Sequence, residues 1–261
     1  MEEAPEQIQT PPTFRQKILV CIAAIAIVCG GLWFVQHRWM WRDPAKIKVD
    51  PEVEQKINTL LEEARTGGYR ERMTIFYEIQ DMGRDRLPVL ARALQHEDPR
   101  VRAFSANLLQ YCDNASVIPH LEARLNDENS IVRRSALSAL GYLGASESAP
   151  TIILVLNDKD NFTRCQAALV LGNVGGDRAV LPLIQMLGTD PYPVARRTAA
   201  HSLGEIGNKE AVPTLIDSLE DSNHYVRSAS LVALNRITGA DLGPSKKTWS
   251  SWWAQRRGLL E

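Results

Sequence analysis

The sequence predicts an all-α protein in which one transmembrane helix precedes a solenoid of helical hairpins. Two observations predict this fold class: an uncharged apolar run from Ile18 to Val35, and a motif that then recurs about every thirty-one residues. The 261 residues are 44% hydrophobic and 23% charged, which is typical of a chain that buries a core. The formal net charge of −1 lacks the basic excess of nucleic-acid-binding proteins, so we expect no nucleic-acid partner.

The apolar run is long enough to cross a bilayer as a helix. Residues 18–35 contain no charged, amide or hydroxyl side chain, and at about 1.5 Å per residue they span roughly 27 Å. A cleaved signal peptide is the alternative, but the run continues into Leu32, Trp33 and Phe34 without ending at a small-residue cleavage site. We therefore predict a transmembrane helix with its flanks over 15–42, a disordered tail over 1–14 and a linker over 43–50.

The predicted location is a membrane crossed once, the inner membrane of a bacterium, and the side of the soluble domain stays open. Two cations precede the apolar run and four follow it: Arg15 and Lys17, then Arg38, Arg42, Lys46 and Lys48. This count favours a cytoplasmic C-terminal domain by the positive-inside rule. A short tail that ends in FRQK is also typical of an uncleaved signal anchor, which would export the domain.

An internal repeat occupies most of the remaining chain, over 87–238. Five segments align without gaps on an arginine, at spacings of 31, 31, 32 and 31: Arg102, Arg133, Arg164, Arg196 and Arg227. Five prolines fall in the same phase: Pro88, Pro119, Pro150, Pro182 and Pro213. Proline is favoured at the start of a helix, so each unit predicts a short first helix, a polar turn and a second helix. A fixed period of this size indicates stacked supersecondary units.

The second helix of each unit has one apolar face. In the second unit this face is Val132, Ala136, Leu140 and Leu143, at helical spacing. Gly144, Gly175 and Gly207 are predicted to close three of these helices in a left-handed conformation. Small residues recur in phase and are expected to let neighbouring helices approach closely: Ser105, Ala136, Ala167, Ala199 and Ser230.

The order Pro, Leu, Asp, Val-Arg, Ala and Leu-Gly at this spacing resembles the HEAT repeat, in the short bacterial form also called the PBS-lyase HEAT-like repeat. The resemblance implies a right-handed α-solenoid, here of about six hairpins. It also implies ladders of Asp and Arg along the stack, because an aspartate stands six residues before four of the repeat arginines: Asp127, Asp158, Asp190 and Asp221.

The repeat has two departures and two atypical ends. His96 replaces the first ladder aspartate, and the fourth unit has an extra residue in DPYP before Arg196, so we expect distorted stacking at both places. Residues 51–86 are predicted to form a degenerate capping hairpin. Residues 239–261 are predicted to be a Trp-rich C-terminal cap, and a docking site is the alternative for its tryptophans: Trp249, Trp252 and Trp253.

The sequence contains no recognisable catalytic or metal-binding motif. The five histidines form no HExxH or other ligand pair, and the phosphate-loop and nucleophile-elbow patterns are absent. The four cysteines have no CxxC spacing, and Cys112 and Cys165 are interpreted as packed thiols. We therefore expect a protein that is not an enzyme and has no cofactor and no metal.

The predicted function is a non-catalytic, membrane-tethered scaffold or adaptor that binds another protein through the concave face of the solenoid. Residues at one, five and nine positions after each repeat arginine form its exposed stripe. The candidate partner-binding residues on it are Tyr111, Arg134, Tyr142, Arg197, His201, Glu205 and Arg236. An alternative follows from the resemblance, because bilin lyases share the repeat: an enzyme or enzyme accessory that acts on a tetrapyrrole-carrying protein. An architectural spacer is a third possibility.

Overall fold

The computed structural model describes residues 43–112 and 114–257, which lie in one compact unit of the chain. The predicted tail over 1–14 and the predicted transmembrane helix over 15–42 lie outside the described residues. Within the described ranges, no helix is both long enough and apolar enough to cross a membrane. All regular elements of this part are helical, which confirms the predicted class.

Six consecutive helical hairpins and one final helix make up the described part. The first hairpin is α1 (Pro51–Thr66) with α2 (Tyr69–Asp81), and α13 (Lys246–Arg257) is the final helix. The other five hairpins each have a first and a second helix: α3 (Arg86–Ala93) and α4 (Pro99–Leu109), α5 (Ile118–Ala123) and α6 (Ser130–Tyr142), α7 (Ala149–Leu154) and α8 (Asn161–Val174), α9 (Val180–Thr189) and α10 (Pro193–Ile206), α11 (Val212–Asp217) and α12 (His224–Thr238).

Short 3-10 turns connect or finish many of these helices. They lie at Pro44–Lys46, Gly83–Asp85, Ala115–Val117, Arg124–Asn126, Ser146–Ser148, Val155–Asn157, Gly176–Ala179, Lys209–Ala211 and Ser218–Glu220. The helix starts follow the sequence signals. Proline occupies the first turn of α5, α7 and α11, and a side-chain oxygen caps the start of four second helices: Asp98, Asn129, Asp160 and Asn223.

The second helices pack side by side in chain order, α4 on α6, α6 on α8, α8 on α10 and α10 on α12. Each first helix packs mainly against the second helix of its own hairpin, so the hairpins form a two-layer repeat solenoid. The five small residues predicted to allow close approach are all fully buried between these layers: Ser105, Ala136, Ala167, Ala199 and Ser230. Val132 and Leu140 are likewise fully buried, as the apolar stripe predicts.

Each of the first four repeat arginines binds the aspartate of the next hairpin. In every pair the guanidinium Nε and Nη2 donate to the two carboxylate oxygens at 2.6–2.9 Å: Arg102 to Asp127, Arg133 to Asp158, Arg164 to Asp190, and Arg196 to Asp221. The remaining Nη1 donates to a backbone carbonyl six residues earlier in the chain. This arrangement confirms the ladder that the resemblance implied.

The ladder keeps its carboxylates charged. Burial is the largest single influence on Asp127 and Asp190 and raises the pKa of each carboxyl. Hydrogen bonds from Arg102 or Arg164, a backbone N–H donor and the nearby arginine charges together outweigh it, so each pKa lies below its ordinary value. At Asp221 the hydrogen bonds from Arg196 are the strongest influence, and they lower its pKa as well. The pairs are therefore ionic at neutral pH.

The prediction of a left-handed cap at Gly175 is wrong. Gly175 has φ of −77°, and the left-handed residue is Gly176, with φ of +52°. The extra residue lies between Arg164 and Pro182 and not in the expected DPYP segment, because the interval from Pro150 to Pro182 is already 32 residues. It therefore moves the cap glycine one position along the chain. Gly175 serves packing instead, because a Cβ there would lie 2.5 Å from the Cβ of Ala179.

The two departures from the repeat do not distort it as expected. The extra residue leaves the Arg164–Asp190 pair intact, with distances of 2.7 and 2.9 Å. His96 reproduces the turn of a ladder aspartate, since its Nδ1 accepts the backbone N–H of Asp98 at 3.0 Å. Its Nε2 lies 3.1 Å from a carboxylate oxygen of Glu62, which belongs to α1.

Residues at both ends of the solenoid dock on it. In the segment 43–50, Asp43 Oδ1 lies 2.9 Å from Nε2 of His120, and the backbone carbonyls of Ala45 and Ile47 accept hydrogen bonds from Arg92. At the other end α13 packs against α11, where Trp249 is fully buried and its indole N–H donates to the carbonyl of Gly243 at 2.8 Å.

Candidate functional site

A groove of about 770 Å³ lies across four successive second helices, α6, α8, α10 and α12. Its walls combine arginine side chains with apolar and small polar ones: Arg134, Phe162, Cys165, Gln166, Leu169, Val194, Arg197, Thr198, His201 and Ala229. Side chains about thirty-one residues apart in sequence meet here because the repeat stacks equivalent helices next to each other. We call this feature the second-helix groove.

One wall of the second-helix groove is built around Arg134. Its guanidinium donates to Oδ2 of Asp160 at 3.1 Å, and its central carbon lies 6.0 Å from the ring centre of Phe162. The Phe162 ring is 59% exposed and packs edge-on against Tyr192, with ring centres 5.9 Å apart. The groove therefore presents an aromatic surface with a cation beside it.

The opposite wall comes from α10, which carries Arg197 and His201, both exposed. Arg197 makes no ion pair with any described residue. Between the two arginines lies the half-buried thiol of Cys165, whose pKa is raised by burial and, to a lesser degree, by the charge of Asp190. A protonated thiol is a weak nucleophile, so at neutral pH Cys165 contributes to the surface of the groove.

The two predicted tyrosines lie outside the second-helix groove, at the C-terminal ends of α4 and α6. The rings of Tyr111 and Tyr142 are in contact, with centres 5.1 Å apart, and Tyr111 packs edge-on against Phe76 of α2 at 5.4 Å. Tyr142 is 64% exposed. Arg134 and Tyr142 are eight residues apart, or about 12 Å along α6. The tyrosines and the groove are therefore separate parts of the surface that the second helices form.

Glu205 and Arg236 pair with each other. Arg236 Nη1 donates to Oε1 of Glu205, and Nε2 of His201 lies 3.7 Å from the same oxygen. This pair joins α10 to α12 beside the groove.

The structure thus divides the seven candidate residues into three clusters. Arg134, Arg197 and His201 line the groove, Tyr111 and Tyr142 form an aromatic pair, and Glu205 and Arg236 form an ion pair. Their role in partner binding stays a prediction.

Sequence reasoning missed the aromatic surface of the groove. Phe162 stands two residues before its repeat arginine, at a position that is apolar in four of the five units: Ile131, Phe162, Val194 and Tyr225. This position lies in the first turn of each second helix and outside the stripe that was considered. A phase-by-phase comparison of apolar residues could have found it.

The groove suits an amphipathic anion. Its apolar and aromatic residues offer a surface for rings or methylene groups, and the two arginines offer charge-assisted hydrogen bonds to carboxylates. Within the described ranges, no three His, Cys, Asp or Glu residues come together in a way that could hold a metal ion.

The comparison with protein families matches the HEAT-repeat model to residues 57–141, 118–203 and 180–245, which together cover more than half of the chain. Among curated proteins, phycocyanobilin lyase subunit alpha of Nostoc sp. (strain PCC 7120) is 43% identical over 54 residues, 21% of this chain. The match spans 19% of that protein, so the chain aligns with about a fifth of its length.

Two solved structures illustrate the likeness of fold. A designed armadillo repeat protein in complex with the peptide (KR)4 is 17% identical, with a TM-score of 0.52 and coverage of 72% of this chain and 99% of that chain. The complex of CpcE and CpcF of phycocyanin lyase from Nostoc sp. PCC7120 is 20% identical, with a TM-score of 0.37 and coverage of 99% of both chains. The first likeness shows the repeat fold alone, and the second is too low to carry an argument.

The expectation that the protein is not an enzyme is wrong. The 43% identity with a phycocyanobilin lyase subunit points to a family of lyases. The expectation depended on the absence of local motifs, which is a weak criterion for a solenoid. A site on stacked helices takes one or two residues from each hairpin, so its members lie about thirty-one residues apart and form no short motif.

Proposed function

Because the chain belongs to the HEAT-repeat family, we propose that it is a bilin-lyase-type protein, an enzyme or enzyme subunit that acts on a tetrapyrrole-carrying protein. The observation that carries this proposal is the 54-residue segment that is 43% identical to phycocyanobilin lyase subunit alpha. The proposal replaces the non-catalytic interpretation and keeps protein binding as one part of the activity.

The second-helix groove supports the proposal through its chemistry. A bilin is an open-chain tetrapyrrole with flat, apolar rings and two propionate carboxylates. Arg134 and Arg197 offer one guanidinium for each propionate, and Phe162 and Leu169 offer surfaces on which the rings can lie. The volume of about 770 Å³ lies within the usual range of about 300–1,000 Å³ for small-molecule sites.

The part of the wall outside the groove is the proposed surface for the protein substrate. The exposed Tyr111–Tyr142 pair provides rigid aromatic area, and the Glu205–Arg236 pair provides both signs of charge. A protein bound there would lie next to the groove, so a bilin in the groove and a side chain of the bound protein could meet.

We also propose that segment 18–35 holds this solenoid at a membrane.

The test combines the purified full chain with phycocyanobilin and a bilin-binding protein that has been stripped of its bilin. Expected results are a change in bilin absorption on mixing with the chain, and bilin that stays attached to the acceptor protein after denaturation. The double variant Arg134→Gln and Arg197→Gln should weaken bilin binding by at least tenfold, since each arginine provides a charge-assisted contact.

The matched control is Arg178→Gln, because Arg178 is exposed and lies outside the groove. Absence of any effect on bilin absorption or attachment, in a chain that keeps its helical content, would contradict the proposal. Capture of an acceptor protein without bilin transfer, lost in Tyr142→Ala with Arg197→Glu, would instead favour a scaffold.

A further inference from the structure

The last arginine of the ladder has no carboxylate. Arg227 is oriented like the four arginines before it, since its Nη1 donates to the carbonyls of Asp221 at 2.8 Å and Ser222 at 3.2 Å. Its Nε and Nη2 hold no carboxylate within residues 43–112 and 114–257, although these are the two atoms that bind an aspartate in every other unit. The guanidinium is exposed.

The repeat phase explains why no described residue fills this position. Pro244 stands 31 residues after Pro213, so α13 follows in the phase of another first helix. The position 31 residues after Asp221 is Trp252, a residue of α13, so the repeat phase supplies no aspartate there. Arg227 is thus an oriented anion receptor without an anion from the described chain.

Charge is distributed unequally between the two ends of the solenoid. Residues 224–257, which form α12 and α13, contain six Lys or Arg residues and one acidic residue, Asp241. Residues 50–86, which form α1 and α2, contain nine acidic residues and six Lys or Arg residues. The two ends therefore attract each other electrostatically.

Each end also exposes large side chains next to its charges. On α1 the acidic Glu52 and Glu63 are exposed and make no ion pair with any described residue, and α2 exposes Tyr69. On α13 the partly buried Trp252 and Trp253 stack, with ring centres 6.3 Å apart. Charges of opposite sign beside apolar side chains are the composition of a protein interface.

We propose that the α12–α13 end binds the α1–α2 hairpin of a second copy of this chain, and that Arg227 holds a carboxylate of that hairpin. Each copy uses its α12–α13 end in one contact and its α1–α2 hairpin in another. The contact is therefore heterologous and continues the stack from one chain to the next. The inference is independent of the proposed lyase activity, because it uses neither the groove nor a bilin.

Sedimentation velocity of the full chain tests the proposal, in a mild detergent that keeps the apolar segment 18–35 from associating. At 50 mM salt, species larger than a monomer should form as the protein concentration rises, and 500 mM salt should dissociate them because exposed charges are screened. Arg227→Gln should weaken association by about tenfold, and Arg178→Gln should leave it unchanged.

Mixing the variant with the original chain distinguishes a head-to-tail contact from a symmetric dimer. Arg227→Gln weakens one end of the contact and leaves the other unchanged, so the variant should bind to assemblies of the original chain and shorten them. The double variant Glu52→Gln and Glu63→Gln should block the opposite end. The proposal would be overturned by a chain that stays monomeric at 100 µM and low salt. It would also be overturned by a symmetric dimer whose association is unchanged by the substitutions at Arg227, Glu52 and Glu63.

A stability measurement separates an intrachain partner from a second copy. Arg227→Gln removes two exposed hydrogen bonds to the carbonyls of Asp221 and Ser222, so it should lower the Tm of the dilute monomer by much less than Arg196→Gln, which also removes the two hydrogen bonds to the carboxylate of Asp221. If the two substitutions lower the Tm of the dilute monomer equally, Arg227 has a carboxylate partner in its own chain and the proposal fails.

Discussion

Arg133 of one hairpin binds Asp158 of the next through two hydrogen bonds, 2.6 Å from Nε to Oδ2 and 2.7 Å from Nη2 to Oδ1. The same carboxylate accepts the backbone N–H of Asp160 at 2.8 Å, so its oxygens are satisfied in a place where water has little access. Repetition of this contact fixes the spacing and rotation of successive hairpins. The ladder therefore determines the arrangement of the second helices on which the groove lies.

Removal of one ladder arginine should destabilise the solenoid strongly. Arg164→Gln leaves Asp190 buried without its counter-ion, and breaking a buried pair in this way costs about 3–5 kcal/mol. The free energy of unfolding in urea should fall by about 3 kcal/mol. Arg178→Gln is the control, since exposed substitutions of this kind stay within about 0.5 kcal/mol. Equal stability of the two variants would contradict a structural role for the ladder.

The free energy of unfolding should decrease as the pH falls into the acid range. Asp127, Asp190 and Asp221 have lowered pKa values in the folded protein, so the unfolded chain binds protons first as the pH falls. The stabilisation from Asp127, Asp190 and Asp221 is complete above the ordinary aspartate pKa of 3.8 and decreases below it.

The measurement is the Tm between pH 7 and pH 2. The Tm should change little down to about pH 4 and then fall steeply, because protonation removes the carboxylate acceptor of each guanidinium. Asp221→Asn should lower the Tm at pH 7 and reduce the steepness of the acid transition. An acid transition as steep in Asp221→Asn as in the original chain would assign the effect to other carboxylates.

The fold was predictable because the signals repeat. One arginine in phase is uninformative, but five at spacings of 31 to 32 predict stacked units. The Asp–Arg ladder was implied by the resemblance to the HEAT repeat. The exact cap was not predictable: an extra residue shifts it from Gly175 to Gly176, and sequence alone does not reveal which of two adjacent glycines takes positive φ.

The candidate site was only partly predictable because it depends on how hairpins meet. The stripe rule found Arg134 and Arg197, which line the groove, but it also selected Tyr111 and Tyr142, which pack on each other elsewhere. Phe162 projects from the first turn of α8, and its proximity to Arg134 follows from the packing of α6 on α8. The periodicity of the sequence identifies which face of a helix is buried, but it does not identify which side chains of neighbouring helices meet.

Two glycine substitutions should change stability in opposite directions. Gly172 lies where α8 approaches α10, and a Cβ there would lie 2.9 Å from Oγ and 3.0 Å from Cβ of Ser202. Gly172→Ala should therefore cost about 1–3 kcal/mol through overpacking. Gly188 in α9 has open space, so Gly188→Ala should stabilise the protein by about 0.5–1 kcal/mol. Urea unfolding measures both, and a Gly172→Ala variant at least as stable as the original chain would contradict the close approach of α8 and α10.

The reactivity of Cys165 should report on the second-helix groove. The thiol is half-buried with a raised pKa, so a maleimide should label it more slowly at pH 7 than a free cysteine, and faster with rising pH as thiolate forms. The experiment uses the chain with Cys21→Ser and Cys29→Ser, so that Cys112 and Cys165 are the two remaining thiols. Cys112 is buried and serves as an internal control.

Phycocyanobilin at saturation should slow the labelling of Cys165 at least fivefold if the bilin occupies the groove. Arg134→Gln with Arg197→Gln should abolish this protection, whereas Arg178→Gln should retain it. Unchanged labelling of Cys165 in the presence of bound bilin would place the bilin somewhere else on the solenoid.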